Sequence, residues 1–594
     1  MTRLIAFNSN LVFFTRKIYL KKSKFLKMKK NNLLIFFAVA LLGVGIVACS
    51  EDFLDAPPQG ALDSGTLANE AGADAAVISA YSMLDGWANS WGVISSPWPA
   101  SGSNWIWGSV MSDDAHKGSE AGDQGQTEEL ELFQWAPGNS YFNDKFIILY
   151  EGIARANAAI SLTSSVEGMD PAKQAQLVAE ARFLRAHFHF DGWKMWKNIP
   201  FYSEEDTDFR KANSADILPN IIADFEAAAA TLPATQGQVG RATSGAANAY
   251  LGRVHMFNKD YAAAKRHLDL VVNSGNYALN PCFKDIFTTA LENGPELVFS
   301  IQASVNDGTG EGENGMFGDR LNWPHGGSPF GCCGFHQPTQ NLVNAHRVDD
   351  SGLPLFDNFN DTDVDENYTG PLDPRLDWTV GRDGIPFLNI GVHDPSWIRA
   401  RSFQGPYSPK KFSYMAGESQ QSGGWVSTQL SPINFPIIRY SDVLLMLAEA
   451  EVEVGSLERA RELVNMVRGR AANCSQGADG SIVASLTDGV AYGNYSVSTY
   501  DAAWTDQSAA RDAVRYERRI ELALEGHRFF DLRRWGIAEQ VINKYLEEEK
   551  PKRPYLNASP GYRSPLNDLF PIPTSQIELS KIDGEAQIIQ NPGF

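Results

Sequence analysis

Apolar residues recur at helical spacing through most of the first half of the chain. Positions three and four apart on a helix lie on one face, so this period indicates amphipathic helices with Ala-rich contact surfaces. Asp170 precedes Pro171, and this pairing of an N-cap residue with a first-turn proline marks a helix start. The pattern predicts helices over residues 142–162, 171–196, 217–232 and 243–274.

Two segments share a spacing of small residues across a short turn. Gly252 and Ala264 are twelve residues apart, as are Ala448 and Ala460. This spacing is typical of TPR helix pairs, in which small residues let two helices approach closely. The alternative is two unrelated helical hairpins.

The middle of the chain has a different character. Residues 276–435 are rich in Gly, Pro, Asn, Asp and aromatic residues and contain few amphipathic periods, which predicts irregular loops with short strands. Helices are predicted again over residues 440–471 and 509–535, followed by a Pro-rich tail. The fold class expected is mostly α: a TPR-like helical-repeat scaffold with an irregular, loop-rich ligand-binding region.

The N-terminus has the pattern of an export signal. Lys29 and Lys30 precede an apolar run over residues 33–47, which is shorter than the roughly 20 residues of a spanning helix. We predict a signal peptide over residues 1–48 with Met28 as the true start, because residues 1–27 fit no signal pattern. The run ends at Cys49, the predicted lipidated first residue, and residues 49–70 are predicted to form a lipid-anchored tether; an uncleaved anchor with a chance Cys is the alternative.

Charge narrows the choice of partners. The net charge is -20, and residues 1–48 hold nine basic and no acidic side chains, so their removal leaves 42 basic and 71 acidic side chains, a net charge of -29. A chain this acidic repels phosphate backbones, so no nucleic-acid partner is expected.

The candidate metal and disulfide residues point to packing. Cys282 and Cys474 are interpreted as buried apolar residues, as are the helix residues His187 and His189. The adjacent Cys332 and Cys333 could form a disulfide, although packing is the preferred interpretation. No CxxC or HExxH motif occurs, and the acidic segment 357–366 departs from the EF-hand pattern, so we predict no metal and no cofactor.

Several motifs, taken in order, resemble the SusD/RagB family of outer-membrane nutrient-binding lipoproteins of Bacteroidetes. They lie along nearly the whole chain that follows Cys49, and acidic residues directly after that Cys resemble the surface-export signal of such lipoproteins. The motifs are EARFLRA at 180–186, DGW at 191–193, NIP at 198–200, RYSDVLLMLAEA at 439–450, NMVR at 465–468, ERRIEL at 517–522, EGHRFFDLRRWG at 525–536, PIP at 571–573 and QNPGF at 590–594.

The resemblance implies a function and an organisation. It implies a non-catalytic, cell-surface glycan-binding lipoprotein, held in outer-membrane lipid through Cys49, that delivers oligosaccharide or polysaccharide to a SusC-like TonB-dependent β-barrel transporter. The expected regions are an N-terminal helical region with TPR-like pairs (71–275), an irregular ligand-binding insertion (276–435) and a C-terminal helical region with its tail (436–594).

Aromatic residues in loops are the candidate glycan contacts. A sugar ring has an apolar face and a polar edge, so a capturing site needs aromatic planes and a few directed polar groups. We predict stacking by the Trp side chains and hydroxyl contacts from Asp113 and Arg399, with the loops around them converging on one site. The alternative for each Trp is a place in the core. The predicted stacking residues are Trp98, Trp105, Trp107 and Trp323.

Two other functions stay open at this point. A RagB-like protein would take up peptides, and a secreted glycoside hydrolase would need two carboxylates about 5–10 Å apart across a cleft. Arg528 and Asp531 are three residues apart and are predicted to face each other on one helix. Glu521 and Glu525 on the same segment are interpreted as structural ion pairs rather than catalytic acids.

Overall fold

A computed structural model describes residues 67–87, 93–309, 312–421, 429–487 and 492–594. The predicted signal peptide, Met28, Cys49 and the tether up to residue 66 lie outside the described residues. None of the described helices is both long enough and apolar enough to cross a bilayer.

The described chain is mostly helical, as predicted from the 3.6-residue period. The α-helices are α1 (Glu70–Tyr81), α2 (Gly125–Glu131), α3 (Ser140–Ser165), α4 (Pro171–Trp196), α5 (Leu218–Thr231), α6 (Ser244–Phe257), α7 (Tyr261–Val272), α8 (Gln340–Ala345), α9 (Leu376–Thr379), α10 (Arg401–Gln404), α11 (Tyr440–Val454), α12 (Leu457–Ala471), α13 (Gln507–Leu522), α14 (Arg528–Trp535), α15 (Ala538–Glu549) and α16 (Thr574–Leu579).

Side-chain caps explain where these helices begin. Asp170 Oδ1 accepts hydrogen bonds from the backbone N–H groups of Ala172 and Lys173 at 3.0 and 2.9 Å, which satisfies two donors that the first turn of α4 leaves unpaired. Asp260 caps α7 and Ser456 caps α12 in the same way. The first turns are therefore set by local sequence.

The long helices form one continuous stack in which each packs on the next. The order is α1, α3, α4, α5, α6, α7, then α11, with α12 and α13 packed on α11. Ala264, Ala448 and Ala460 are fully buried in it, and a Cβ added at Gly252 would lie 2.5 Å from Leu268 Cγ. The small residues therefore do permit close helix approach, and the TPR-like scaffold is confirmed.

The strands are short, and one strand pair joins two distant parts of the chain. Leu297 pairs with Arg439 and Ile301 with Phe435 in an antiparallel ladder, so residues 302–434, here called the inserted segment, leave and re-enter the stack side by side. The strands are β1 (Ala115–Gly118), β2 (Leu297–Ile301), β3 (Phe335–Pro338), β4 (Val380–Gly381), β5 (Pro386–Phe387), β6 (Gly391–Val392), β7 (Ser408–Pro409), β8 (Phe435–Arg439), β9 (Ser475–Gln476), β10 (Ile482–Val483), β11 (Lys581–Ile582) and β12 (Glu585–Ala586).

A buried ion network joins the inserted segment to the stack. Arg375 Nη1 of the inserted segment donates to Glu521 Oε2 of α13 at 2.8 Å, and Arg470 Nη1 of α12 donates to Glu296 Oε2 at 2.9 Å. Arg439 bonds to both Glu296 and Glu521. All five side chains are buried, so each charge depends on the others for its hydrogen bonds.

Four expectations from the sequence are wrong. The predicted helix over residues 509–535 is two helices, because the chain turns between Leu522 and Arg528. Gly526, at φ +73°, lies against Ser103, and a Cβ there would be 2.1 Å from the Ser103 carbonyl oxygen. This contact from a distant segment breaks the helix where the local pattern continues.

Arg528 and Asp531 lie three residues apart on α14, but they pair with other side chains. Arg528 pairs with Asp113 at 2.8 Å, whereas Asp531 accepts from Arg518 of α13 at 2.7 Å and from Arg534 of α14 at 2.8 Å. The expected pairing across one helical turn does not form, because each side chain has other partners.

Cys282 and Cys474 form a disulfide rather than packing as free thiols. The two residues are 192 positions apart with Cα atoms 5.5 Å apart, so the bond ties the start of the irregular region to the end of α12. Spacing along a chain cannot reveal such a pairing. Cys332 and Cys333 are also disulfide-bonded to each other, so the preferred interpretation of these two residues as packing residues is wrong.

Candidate functional site

The pairing of β1 with β3 brings two loops together at the surface. Gly118 pairs with Phe335 in this antiparallel ladder, and the Ser119 N–H donates to the Gly334 carbonyl at 2.5 Å. The first loop (residues 119–124), which follows β1, therefore lies beside the second loop (residues 323–334), which precedes β3.

A third loop, residues 394–401, completes this surface. The His325 N–H donates to the Trp397 carbonyl at 2.7 Å, and the Gly327 N–H donates to the Ser396 carbonyl at 3.1 Å. The three loops come from distant parts of the chain and form one area, here called the three-loop surface.

Arg399 joins the third loop to the first loop at this surface. Its Nη1 donates to Ser119 Oγ at 3.1 Å and to Asp123 Oδ2 at 2.9 Å, and its Nη2 pairs with Glu120. The Arg399 side chain is 33% exposed and that of Glu120 is 48% exposed, so these groups can also reach a ligand. A guanidinium between carboxylates presents donors and acceptors side by side, which suits hydroxyl groups.

Lys117 holds the first loop in place from below. Its buried Nζ donates to the backbone carbonyls of Glu120 and Asp123 at 2.8 and 2.7 Å and lies 3.5 Å from Glu128. Burial lowers the pKa of Lys117, and the nearby carboxylates oppose that shift. The backbone carbonyls of the first loop thus face a fixed cation, and the side chains of that loop point outward.

An aromatic cluster supports the second and third loops. Trp323 stacks on Phe330 with ring centroids 5.1 Å apart, and Trp397 contacts Phe387 edge to face at 5.5 Å. All four rings are buried in a hydrophobic cluster separate from the main core. The aromatic side chains of these loops therefore fix the shape of the surface from beneath.

The four Trp predicted to stack on sugar lie in the interior of the structure. Trp98 and Trp323 are each 5% exposed, Trp105 is 1% and Trp107 is 0%. The indole N–H of Trp105 donates to the Gly318 carbonyl, that of Trp107 to Pro99 and that of Trp323 to Gln429. Trp105 and Trp107 share a π-helical turn, Trp105–Val110, whose residues are all buried. None of the four offers an open ring face in this conformation.

Trp105 and Trp323 do meet at one enclosed cavity. It has a volume of about 50 Å³ and is also lined by Asp319, His336 and Lys411. Ligand pockets usually measure about 300–1,000 Å³, so this space accommodates water rather than a sugar ring.

Asp113, the other predicted hydroxyl partner, is also buried. Its carboxylate pairs with Arg519 at 3.0 Å and with Arg528 at 2.8 Å. Burial alone would raise the pKa of Asp113, but the two guanidinium groups outweigh that effect and lower it. Of the six predicted glycan contacts, the structure places Arg399 alone at the three-loop surface with an exposed side chain.

Comparisons with known proteins identify the family. A family model described as "SusD family" matches residues 295–594, and one described as "Starch-binding associating with outer membrane" matches residues 71–256. The chain belongs to the SusD family. Its similarity to "SusD-like protein P25" of Formosa agariphila is 24% identity over 470 residues, covering 76% of this chain and 79% of that protein.

Solved structures share the SusD fold. Surface glycan-binding protein A from Bacteroides fluxus aligns with a TM-score of 0.65 and 24% identity, over 89% of this chain and 100% of that one. Surface glycan-binding protein A from Bacteroides thetaiotaomicron, solved in complex with laminarihexaose, aligns with a TM-score of 0.64 and 19% identity, over 88% and 99%. These likenesses establish the architecture of this SusD-family chain.

Sequence reasoning missed three polar residues of the surface in this SusD-family protein. Ser119, Glu120 and Asp123 are the partners of Arg399, yet they follow β1 in a stretch with no aromatic residue to attract notice. The sequence feature that could have indicated them is their position in the loop that directly follows β1, where side chains leave the sheet for solvent.

The carboxylates considered as catalytic candidates are occupied by arginine in this SusD-family fold. Burial alone would raise the pKa of Glu521, but Arg470, Arg439 and Arg375 hold it well below its usual range. The pKa of Glu525 is lowered in the same way by Arg439 and Lys411. A general acid needs a raised pKa, so neither group is suited to that role.

Histidine and cysteine residues form no cluster suited to a metal within the described ranges. His187 shares a hydrogen bond with Tyr250 Oη at 2.6 Å, and His189 contacts the Arg185 carbonyl at 3.0 Å. Burial lowers the pKa of both to about 3, so both are neutral packing residues at physiological pH.

Proposed function

We propose that this protein captures oligosaccharide or polysaccharide at the cell surface, without cleaving it, and delivers it to a SusC-like TonB-dependent β-barrel in the outer membrane. Cys49 would hold it there as a lipid anchor. The main support is the meeting of three loops at one surface, where Arg399 of the third loop bonds to Ser119 and Asp123 of the first, in a chain of the SusD family. A solved relative bound to laminarihexaose and another named as a laminarin-binding SusD-like protein favour a glycan ligand.

The chemistry of the three-loop surface is consistent with capture. Arg399, Glu120, Asp123 and Ser119 place donors and acceptors within one small area, which suits neighbouring hydroxyl groups of a sugar. Exposed hydroxyls exchange bonds to water for bonds to protein at small net gain, so weak, reversible binding is expected. Such binding suits a protein that must release its cargo to a transporter.

The same geometry argues against hydrolysis at this surface. Glu120 and Asp123 both pair with the same guanidinium, that of Arg399, rather than facing each other across a cleft as a pair of catalytic carboxylates would. We therefore propose a binding role, with Trp98, Trp105, Trp107, Trp323 and Asp113 supporting the loops from the interior.

Glycan binding by matched variants tests the proposal. The purified mature protein is titrated calorimetrically with β-glucan, α-glucan and other oligosaccharides, and with peptides as the competing ligand class. Arg399→Gln is expected to weaken glycan binding at least about five-fold, as loss of charge-assisted bonds does, with the melting temperature unchanged. Arg459→Gln is the control, because Arg459 is similarly exposed at 38% and pairs with Glu462 on α12.

Three results would contradict the proposal. They are glycan binding unchanged by Arg399→Gln, binding of peptides but of no glycan, and release of new reducing ends from any bound glycan. The delivery step is tested by cross-linking in intact cells, where we expect a large β-barrel partner and loss of outer-membrane attachment in Cys49→Ala.

A further inference from the structure

A second groove lies between two helix faces outside the three-loop surface. Arg519 faces it from α13, four residues after Arg515 and three after Tyr516, which also line it. Lys544 and Glu548, four residues apart, face it from α15. Its volume is about 490 Å³, which is within the range of ligand pockets. No residue of the three loops lines it.

Arg515 is the unusual residue of this groove. Its guanidinium forms no hydrogen bond and no ion pair with any residue in the described part of the chain, and its Nε is inaccessible to solvent. Its neighbours on the same helix are paired, Arg511 with Glu453 at 2.6 Å and Arg519 with Asp114 at 3.0 Å. Arg515 instead lies over the Trp535 ring, with Cζ 4.8 Å from the ring centroid.

An arginine held in this way can bind an anion. Contact with Trp535 holds the guanidinium beside the groove, and its two terminal Nη groups have no hydrogen-bond partner among the described residues, so this pair of donors can bind a carboxylate through two parallel bonds. The groove also has an aromatic wall, in which Phe356 and Phe359 contact Tyr516 edge to face at 5.4 and 6.0 Å.

We propose that this groove binds a saccharide that carries a carboxylate, with Arg515 as the carboxylate contact. The half-buried rings of Phe356, Phe359 and Tyr516 suit the apolar face of a sugar. The carboxylates of Asp357, Asp512 and Glu548 line the groove as acceptors for hydroxyl donors. A peptide with one terminal carboxylate has fewer donors for those acceptors, so the saccharide fits better.

The site is independent of the proposed glycan surface, so each can be tested separately. The probe is trigalacturonate, with its methyl ester as the neutral match, titrated calorimetrically into the full mature protein. Arg515→Gln is expected to weaken trigalacturonate binding at least about ten-fold. Arg511→Gln is the matched control on the same helix, because its partner Glu453 lies outside the groove lining.

Charge should identify the contact. Binding of trigalacturonate should weaken between about 50 and about 500 mM salt, because screening acts on the exposed part of the pair. The methyl ester should bind at least about ten-fold more weakly than the acid, and Arg515→Lys should bind more weakly than wild type because it lacks the planar pair of donors. Arg399→Gln should leave all of these affinities unchanged.

Four outcomes would overturn the inference: no binding of trigalacturonate up to about 10 mM, equal binding of acid and ester, binding unaffected by Arg515→Gln, or tighter binding of peptides with a free C-terminal carboxylate. The three-loop proposal would fail if neutral-glycan binding were absent or unchanged by Arg399→Gln, a result that leaves trigalacturonate binding at Arg515 unaffected, so the two failures are distinguishable.

Discussion

The helical stack and the inserted segment bury their backbones by different means. In α6 and α7 the backbone bonds to itself, and small residues such as Gly252 and Ala264 let bare helix surfaces meet. In the irregular region (residues 276–435), buried lysines donate hydrogen bonds to backbone carbonyls. Lys284 Nζ donates to the carbonyls of Lys411 and Ser413 at 3.2 and 3.0 Å, and Lys410 Nζ donates to that of Pro386 at 2.6 Å.

This difference has an electrostatic consequence. Burial lowers the pKa of Lys284 and Lys410 to about 7, and that of Lys411 to about 8, because burial disfavours the charged ammonium. The helices meet through small apolar residues and also bury ion pairs such as Arg185 with Asp224, whereas in the irregular region buried lysines bond directly to the loop backbone. A single charge change should therefore cost more where the two regions meet than a volume change within the stack.

The largest effect is expected at that junction. Glu521→Ala would leave Arg375, Arg439 and Arg470 buried without a shared carboxylate, so we expect a loss of about 3–5 kcal/mol in the free energy of unfolding. Urea denaturation measures it. Glu462→Ala, which removes an exposed pair with Arg459, is the control and should cost less than about 1 kcal/mol. Equal costs for the two variants would show that the network does not join the regions.

A smaller effect is expected within the stack. Gly252→Val would place a Cβ 2.5 Å from Leu268 Cγ, and overpacking of this kind costs about 1–3 kcal/mol. Gly469→Val on α12 is the control, because no atom lies within 4 Å of an added Cβ there, and we expect a change below about 0.5 kcal/mol. Thermal unfolding compares the two, and an unchanged melting temperature for Gly252→Val would contradict the close helix approach.

The remaining effects depend on pH and have opposite signs in the two regions. Burial lowers the pKa of His189 in α4 to about 3, so the unfolded chain takes up the proton first as pH falls below about 6.5, and stability falls with it. Desolvation raises the pKa of Asp319 in the inserted segment to about 6, so its contribution is present at low pH and is lost as pH rises from about 4 through 6.

Single variants separate these two contributions. Relative to wild type, His189→Asn should flatten the stability loss between pH 6.5 and 4, and Asp319→Asn should remove the opposite slope, each by at most about 1.4 kcal/mol per pH unit. Urea denaturation at half-unit pH steps measures both. Parallel curves for wild type and either variant would exclude that residue as a titrating contributor.

The local sequence pattern was sufficient to predict the helices whose ends are set by neighbouring residues. The helix predicted over residues 171–196 is observed as Pro171–Trp196, because Asp170 and Pro171 act within one turn. It was insufficient over residues 509–535, where contact of Gly526 with Ser103 imposes a turn. The sequence predicted that aromatic loops meet at one site and that Arg399 contacts hydroxyl groups there, but it did not predict the partners of Arg399, which are Ser119, Glu120 and Asp123.

Aromatic composition was a poor guide to exposure. Trp residues in Gly-rich loops were expected at the surface, yet Trp105 and Trp107 are among the most buried side chains. Sequence carries no direct record of what covers a ring. Phe335 and His336 from β3 pack on Trp105, and Phe142 of α3 and Phe570 near the C-terminus pack on Trp107.

The amino-acid order alone was enough to specify the helical scaffold, its small-residue contacts and the family motifs, since periodicity and capping act over a few residues. Tertiary structure was needed to assign the role of each charged and aromatic side chain. Arg399 lies at a surface, Arg375 lies in a buried network, and Arg515 lies in a groove with no partner in the described part of the chain. These three different environments depend on contacts between segments far apart in the chain. Burial and ion pairing are properties of such contacts rather than of any local sequence pattern.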